Sequence, residues 1–330
     1  MEDWYEEPYN RILDATAIIH IPVKMFTLYI IAFKTPPEFR SSSYFTLDVL
    51  VWNFVANLLF AFVHLYPEYP STCFRIKGPV SWFLDSEAFG HVMLILIVIC
   101  ILNVATALGI AFPYRYFVVT STSRTIDQQT TFKVGAALHI ISCTALVGMF
   151  IPWPVSYDGY PDQIDLPPKR LVFCLNPSGW RKLLPVLSFY AYIGLVVTIV
   201  SGFSLLLFIQ LYFRTTITNE KTLKMQRNLL WKLLIQTTVI FVFGGIPMLI
   251  VVFTMVFPYL PYAKLICLVC IVFLANHGTV YSIVALLMMK SYRETIRRMI
   301  FRTKVAPAVV SVLPTVSTRR STISTSVHHQ

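Results

Sequence analysis

Seven long apolar runs, parted by short polar or proline-bearing gaps, organise the sequence. Each approaches or exceeds the ~20 apolar residues that a helix needs to cross a bilayer. They fall at 13–33, 45–66, 89–112, 132–151, 184–213, 233–256 and 262–289. None shows the two-residue alternation of a membrane barrel strand, and a lone strand in lipid would leave its backbone groups unpaired. The pattern predicts an all-α polytopic membrane protein, a bundle of seven transmembrane helices. Residues 1–12 form an outer N-terminal segment and 13–302 the membrane domain. Residues 303–330 form a Ser/Thr-rich cytoplasmic tail, read as a disordered spacer.

Orientation follows from lysine and arginine. With the N-terminus outside, eighteen of the 27 basic residues fall on the inner side, eight fall outside, and Lys24 sits within the first run. Basic residues favour the cytoplasmic side, so the expected topology is N-out and C-in. The N-terminus, Met1-Glu2-Asp3-Trp4-Tyr5-Glu6-Glu7, is acidic and lacks the basic start of a cleavable leader. The first run is expected to act as its own insertion signal.

Composition narrows the class. Only 13% of residues are charged, against about 25% in soluble domains. A soluble enzyme, a disordered chain and a disulfide-rich secreted scaffold are excluded. The net charge of +11 would suggest a nucleic-acid partner on a soluble surface. Here the basic residues lie in loops between membrane runs, which reads as no nucleic acid and contact with membrane lipid. Residues 292–302 carry Arg293, Arg297, Arg298 and Arg302 with helical spacing and form a candidate amphipathic helix on the inner leaflet.

No catalytic motif is present, so no enzyme activity and no catalytic residues are expected. Five histidines are spread over five different runs without ligand spacing, so no metal and no cofactor are expected. Lys24 and His20, one turn apart in the first run, read most simply as a lysine that snorkels or faces the bundle. Asn53 and Asn57 share a helical face and read as hydrogen-bonding glue between helices. Cys73 and Cys174 fall in two outer loops, an oxidising location; they could pair or remain separate thiols. The inner side offers a basic docking face built from Arg115, Lys221, Lys224 and Arg227. Gly244, Gly245 and Pro247 mark a hinge in the sixth run, because proline removes one helical hydrogen bond.

Several local motifs occur in a definite order. The first run ends Tyr29-Ile30-Ile31-Ala32-Phe33-Lys34-Thr35-Pro36. Gln226, Ile235-Gln236 and Pro247 follow around the sixth run. His277-Gly278 lies in the seventh, and Tyr292-Arg293 follows it. In this the chain resembles the nematode serpentine receptor class H chemoreceptors, of the Str-type group of seven-transmembrane G-protein-coupled receptors. The likeness covers residues 13–302. It departs at Pro113, where the family usually carries an acidic residue two before the arginine, and at Ser291, where it has proline.

The resemblance implies a chemosensory receptor that binds a small organic chemical in its outer half and signals to a heterotrimeric G protein. It also implies the plasma membrane of chemosensory neurons, in their cilia. Polar points on apolar helices then become ligand-pocket candidates: His91, Tyr190, Tyr192, Asn276 and His277. A transporter or channel subunit for a small solute is the rival reading. It is disfavoured by the missing internal repeat and the missing chain of intramembrane carboxylates.

Overall fold

The computed structural model describes residues 4–36, 40–83, 86–120, 128–161, 169, 171–213 and 220–301. The tail at 303–330 and Arg302 lie outside the described residues.

Among the described residues, seven helices are long and apolar enough to cross a membrane. The first two are α1 (Glu6–Lys34) and α2 (Arg40–Val63). The next three are α3 (Glu87–Thr120), α4 (Gln128–Phe150) and α5 (Trp180–Tyr212). The sixth span is built from α6 (Glu220–Ile240), a π-helical turn (Phe241–Gly245) and α7 (Ile246–Val256). The seventh is α8 (Ala263–Met288), after which the short α9 (Lys290–Phe301) turns away.

The helices overrun the apolar stretches that announce them. Hydropathy registers lipid, whereas backbone hydrogen bonding continues beyond it. At 1.5 Å per residue α3 is about 50 Å long, well beyond a hydrocarbon core of about 30 Å. Its inner end carries Arg115 beyond the apolar run that ends at 112. Likewise α1 begins at Glu6, with Glu6 and Glu7 in its first turn, where the helix dipole favours negative charge.

The outer loops hold structure that hydropathy does not announce. Four short strands, β1 (Leu65–Glu68), β2 (Cys73–Ile76), β3 (Pro154–Val155) and β4 (Val172–Leu175), form an antiparallel sheet in the order β1-β2-β4-β3. Cys73 and Cys174 face each other across β2 and β4 and form a disulfide, with Cα atoms 4.0 Å apart. The sheet buries Leu65, Tyr66, Phe74, Ile76 and Phe173 against the outer halves of the helices. Its polar side is tied down by charge: Arg75 reaches Glu68 at 2.7 Å, and Lys77 reaches Glu6 on α1 at 2.6 Å. Lys264, at the start of α8, lies 4.5 Å from the centre of the Tyr66 ring. The outer mouth of the bundle is thus roofed by the sheet.

The disulfide spans a sequence separation of 101 residues. Cross-linking a loop of that length removes chain entropy worth about 4–5 kcal/mol from the unfolded state. A Cys73→Ser/Cys174→Ser double variant should therefore unfold at a clearly lower temperature in detergent. A thiol-labelling assay of the unreduced wild-type protein should leave both cysteines unmodified.

Candidate functional site

Midway through the bundle lies a cavity of about 390 Å³. Its walls come from α2, α3, α5, the whole sixth span and α8. Most of the lining is apolar, including Ile101, Val104, Phe189, Val200 and Leu274. Phe189, Met248 and Leu274 separate it from a smaller apolar void of about 60 Å³ beneath the sheet. Volumes of about 300–1,000 Å³ with few polar groups are usual for small-molecule sites. On the side of α5 and the sixth span the lining thins. Val197 is 39% exposed, Phe241 is 40% exposed, and Ser201 and Thr238 are also exposed there.

The opposite wall is polar. Asn53 and His277 line the cavity there. His277 donates from Nδ1 to the Leu274 carbonyl at 2.6 Å, which leaves Nε2 of the neutral ring as an acceptor. Asn53 is fully buried, yet neither its amide nitrogen nor its amide oxygen has a hydrogen-bond partner. Behind it stands Lys24 of α1, also fully buried, whose Nζ donates to the Asn53 backbone carbonyl at 3.1 Å. His20, one turn earlier on α1, bonds through Nδ1 to the Thr279 hydroxyl. Asn57 donates to the Ala275 carbonyl at 2.6 Å. Lys24 thus faces the bundle interior rather than snorkelling to an interface.

Two glycines make this wall possible. A Cβ on Gly278 would stand 2.8 Å from Asn53 Oδ1 and 3.0 Å from Lys24 Cε, so only a bare backbone admits both side chains. A Cβ on Gly244 would stand 2.9 Å from the His277 ring. The π-helical turn is therefore in direct contact with a wall of the cavity. That turn has a local cause. Pro247 has no N–H to offer the carbonyl of Phe243. The Ile246 amide bonds instead to the Phe241 carbonyl, five residues back.

Of the five pocket candidates, His277 lines the cavity and the other four do not. The Tyr190 hydroxyl donates to the Leu249 carbonyl at 3.0 Å, tying α5 to α7. The Tyr192 hydroxyl meets Thr106 of α3 at 2.5 Å. His91 packs edge-on to Phe173 of β4, with ring centres 5.2 Å apart, at the underside of the sheet. Asn276 turns back to the Val272 carbonyl of its own helix at 2.8 Å. Hydropathy marks all five as polar points on apolar helices but says nothing about their neighbours. Asn53, in the polar wall, reads in sequence as helix glue, and Lys24, behind it, as a lysine that snorkels or faces the bundle.

The inner face carries a second, smaller cavity of about 50 Å³. Arg115, Lys232, Gln236, Tyr281 and Tyr292 contribute to its lining. Lys221 and Lys224 are exposed at the start of α6. Arg227 instead caps α5: its Nε and Nη2 donate to the Leu211 carbonyl at 3.1 and 2.8 Å, and its guanidinium lies 4.4 Å from the centre of the Tyr212 ring. Gln226, beside it, is half-buried. Thr35, at the end of α1 next to Pro36, bonds to the buried Tyr292 hydroxyl at 2.8 Å and so docks α9 against the bundle. Burial pushes the Tyr292 phenol above its usual range, with the Thr35 bond opposing, so the hydroxyl stays neutral. Arg293, Arg297 and Arg298 face outward from α9. Among the described residues no group of three His, Cys, Asp or Glu side chains gathers into a metal site.

The polar wall predicts a sharp contrast between glycines. Gly278→Ala forces Lys24 and Asn53 apart inside a closed core and should cost ~1–3 kcal/mol, the usual range for overpacking. Gly194→Ala on α5 meets nothing within 4 Å and should be neutral. Thermal unfolding and surface expression of the two variants measure the difference.

Comparison with known proteins places this geometry in a family. Residues 5–302 match the profile of the serpentine-type seven-transmembrane G-protein-coupled chemoreceptors, Srh. No curated protein matches the sequence. Among solved structures, squid rhodopsin superposes with a TM-score of 0.67 at 11% identity, covering 92% of this chain and 87% of that one. At that identity the likeness is one of fold: a rhodopsin-like bundle of seven helices. The matched family is one of receptors rather than enzymes. The chain belongs to the Srh family of serpentine-type seven-transmembrane G-protein-coupled chemoreceptors.

Proposed function

We propose that this receptor detects a small organic chemical in the cavity within its bundle and passes the event to a heterotrimeric G protein at its basic inner face. The observation that carries the reading is the packing of His277, a wall of the cavity, on Gly244 in the π-helical turn of the sixth span. A ligand that moves the imidazole changes the packing at that turn. Such a ligand shifts a helix arrangement only if it binds one arrangement better than the other. The turn supplies a joint about which the two halves of the sixth span can reorient.

The inner half of that span is built to be released. Arg227 holds α6 to the end of α5 through one carbonyl and one aromatic ring. Outward movement of α6 separates these partners and widens the small inner cavity bordered by Arg115 and Lys232. Lys221 and Lys224, already exposed, offer positive charge to an acidic surface on the partner. The receptor acts as a multi-pass protein of the plasma membrane, in the cilia of chemosensory neurons, where it serves olfactory signalling.

A ligand screen in cells expressing the full chain, read by calcium or cyclic nucleotide, tests the function. For any activating compound, Ala105→Phe fills the cavity and should weaken potency tenfold or more at unchanged surface expression. Lys221→Glu/Lys224→Glu should lower G-protein nucleotide exchange without altering ligand affinity. Ligand-driven solute flux without nucleotide exchange would overturn the reading.

A further inference from the structure

The polar wall of the cavity is unusual in its charge. Three groups able to carry a proton and a positive charge lie near one another: His277 in the wall itself, with Lys24 and His20 behind it. Among the described residues, no carboxylate forms an ion pair with any of the three. Asp48 on α2 is engaged by His139 of α4 at 3.0 Å, and Asp14 on α1 lies 3.6 Å from His64 at the outer end. Lys24 Nζ itself bonds to a backbone carbonyl, that of Asn53.

Beside this amine, Asn53 belongs to the cavity lining, and its buried amide has an unused donor and an unused acceptor. Buried polar atoms of this kind are uncommon because each carries a desolvation cost. The amide of Asn53 and the amine of Lys24 are neighbours, since both press on the same point of the α8 backbone at Gly278. Asn57 adds a further buried amide oxygen without a partner on the same face of α2. The remainder of the cavity, toward α5 and the sixth span, is mainly apolar.

We infer that the ligand is an amphiphilic carboxylic acid, its head group held by the Asn53 amide with Lys24 behind it and its apolar body lying toward α5. This rests on the cavity being the ligand site, as proposed above. The chemistry is balanced. An acid and an amine share one proton between them, whether as O–H and N or as O⁻ and H–N⁺. The pair is net neutral in both forms, so the occupied site leaves no net charge in the lipid-embedded interior. If the acid arrives protonated at a neutral amine, the proton passes from the carboxyl oxygen to Lys24 Nζ. The carboxylate then accepts from Asn53 Nδ2 and from the ammonium. An amine ligand would bring a second basic group against Lys24. An alcohol or an ester would supply no proton-sharing partner.

The test uses the full-length receptor, purified into phosphatidylcholine nanodiscs, with a matched series: decanoic acid, decan-1-ol, methyl decanoate and decylamine. Thermal stabilisation reads binding. The acid should raise the unfolding midpoint in a saturable way, and the other three should bind at least tenfold more weakly. Lys24→Met replaces a buried amine by an apolar side chain of similar length, so this variant should fold at least as well as wild type. It should nonetheless lose tenfold or more in affinity for the acid. Asn53→Ala should weaken the acid in the same direction. Mass spectrometry of lipids extracted from the purified receptor separates the sources: a co-purifying fatty acid marks the membrane, and its absence marks an added solute.

Equal binding of acid, alcohol and ester, all blocked by Ala105→Phe, would overturn the acid reading and leave the cavity as a ligand site. Undiminished binding of the acid to Lys24→Met, or no stabilisation by the acid at saturation, would also overturn it. Lys24-dependent binding of the acid without any effect on nucleotide exchange would keep the head-group assignment and remove the signalling function instead.

Discussion

In lipid there is no water to satisfy a backbone polar group, so each one has to find its partner inside the chain. This constraint shapes the protein from backbone to site. It makes every span a helix, since a helix pairs its own amides and carbonyls. It also gathers the polar side chains of α1, α2 and α8 onto one interior seam. Lys24 is the extreme case. A lysine at the centre of a membrane helix costs about 3 kcal/mol on insertion scales. Here it is covered completely, beside Asn53, Gly278 and His277.

The seam and the cavity are two sides of one arrangement. On α8, Gly278 makes room for Lys24 and Asn53, while its neighbour His277 turns toward the sixth span. There the imidazole meets Gly244, in a turn whose hydrogen bonds are already rearranged around Pro247. The polar wall therefore touches the sixth span through one layer of side chains. Outside this layer the structure is held from both ends. The disulfide-linked sheet caps the outer mouth, and Arg227 and the Thr35–Tyr292 bond fasten the inner end.

The spans were legible in the sequence because hydropathy is a local signal that survives without neighbours. The glycines and proline of the sixth span could be read the same way, as could the order of motifs that marks the family. The sheet could not, because its central pairing joins residues 101 positions apart. Nor could the cavity wall. A lysine in a membrane helix can reach toward headgroups or face the interior, and only the glycine opposite decides which. Tyr190 and Tyr192 look like pocket residues until Leu249 and Thr106 are seen to occupy their hydroxyls. Arg227 looks like a docking residue until the end of α5 is seen beneath it.

Coupling from His277 to the inner half of the sixth span is the claim on which the receptor mechanism stands. Spin labels at the exposed positions Phe117, on the inner end of α3, and Lys224, on α6, report it directly. With an activating ligand the distance between them should lengthen, and it should fail to do so when Gly244→Ala jams the His277 contact. A ligand that drives nucleotide exchange while the two labels keep an unchanged distance would contradict it.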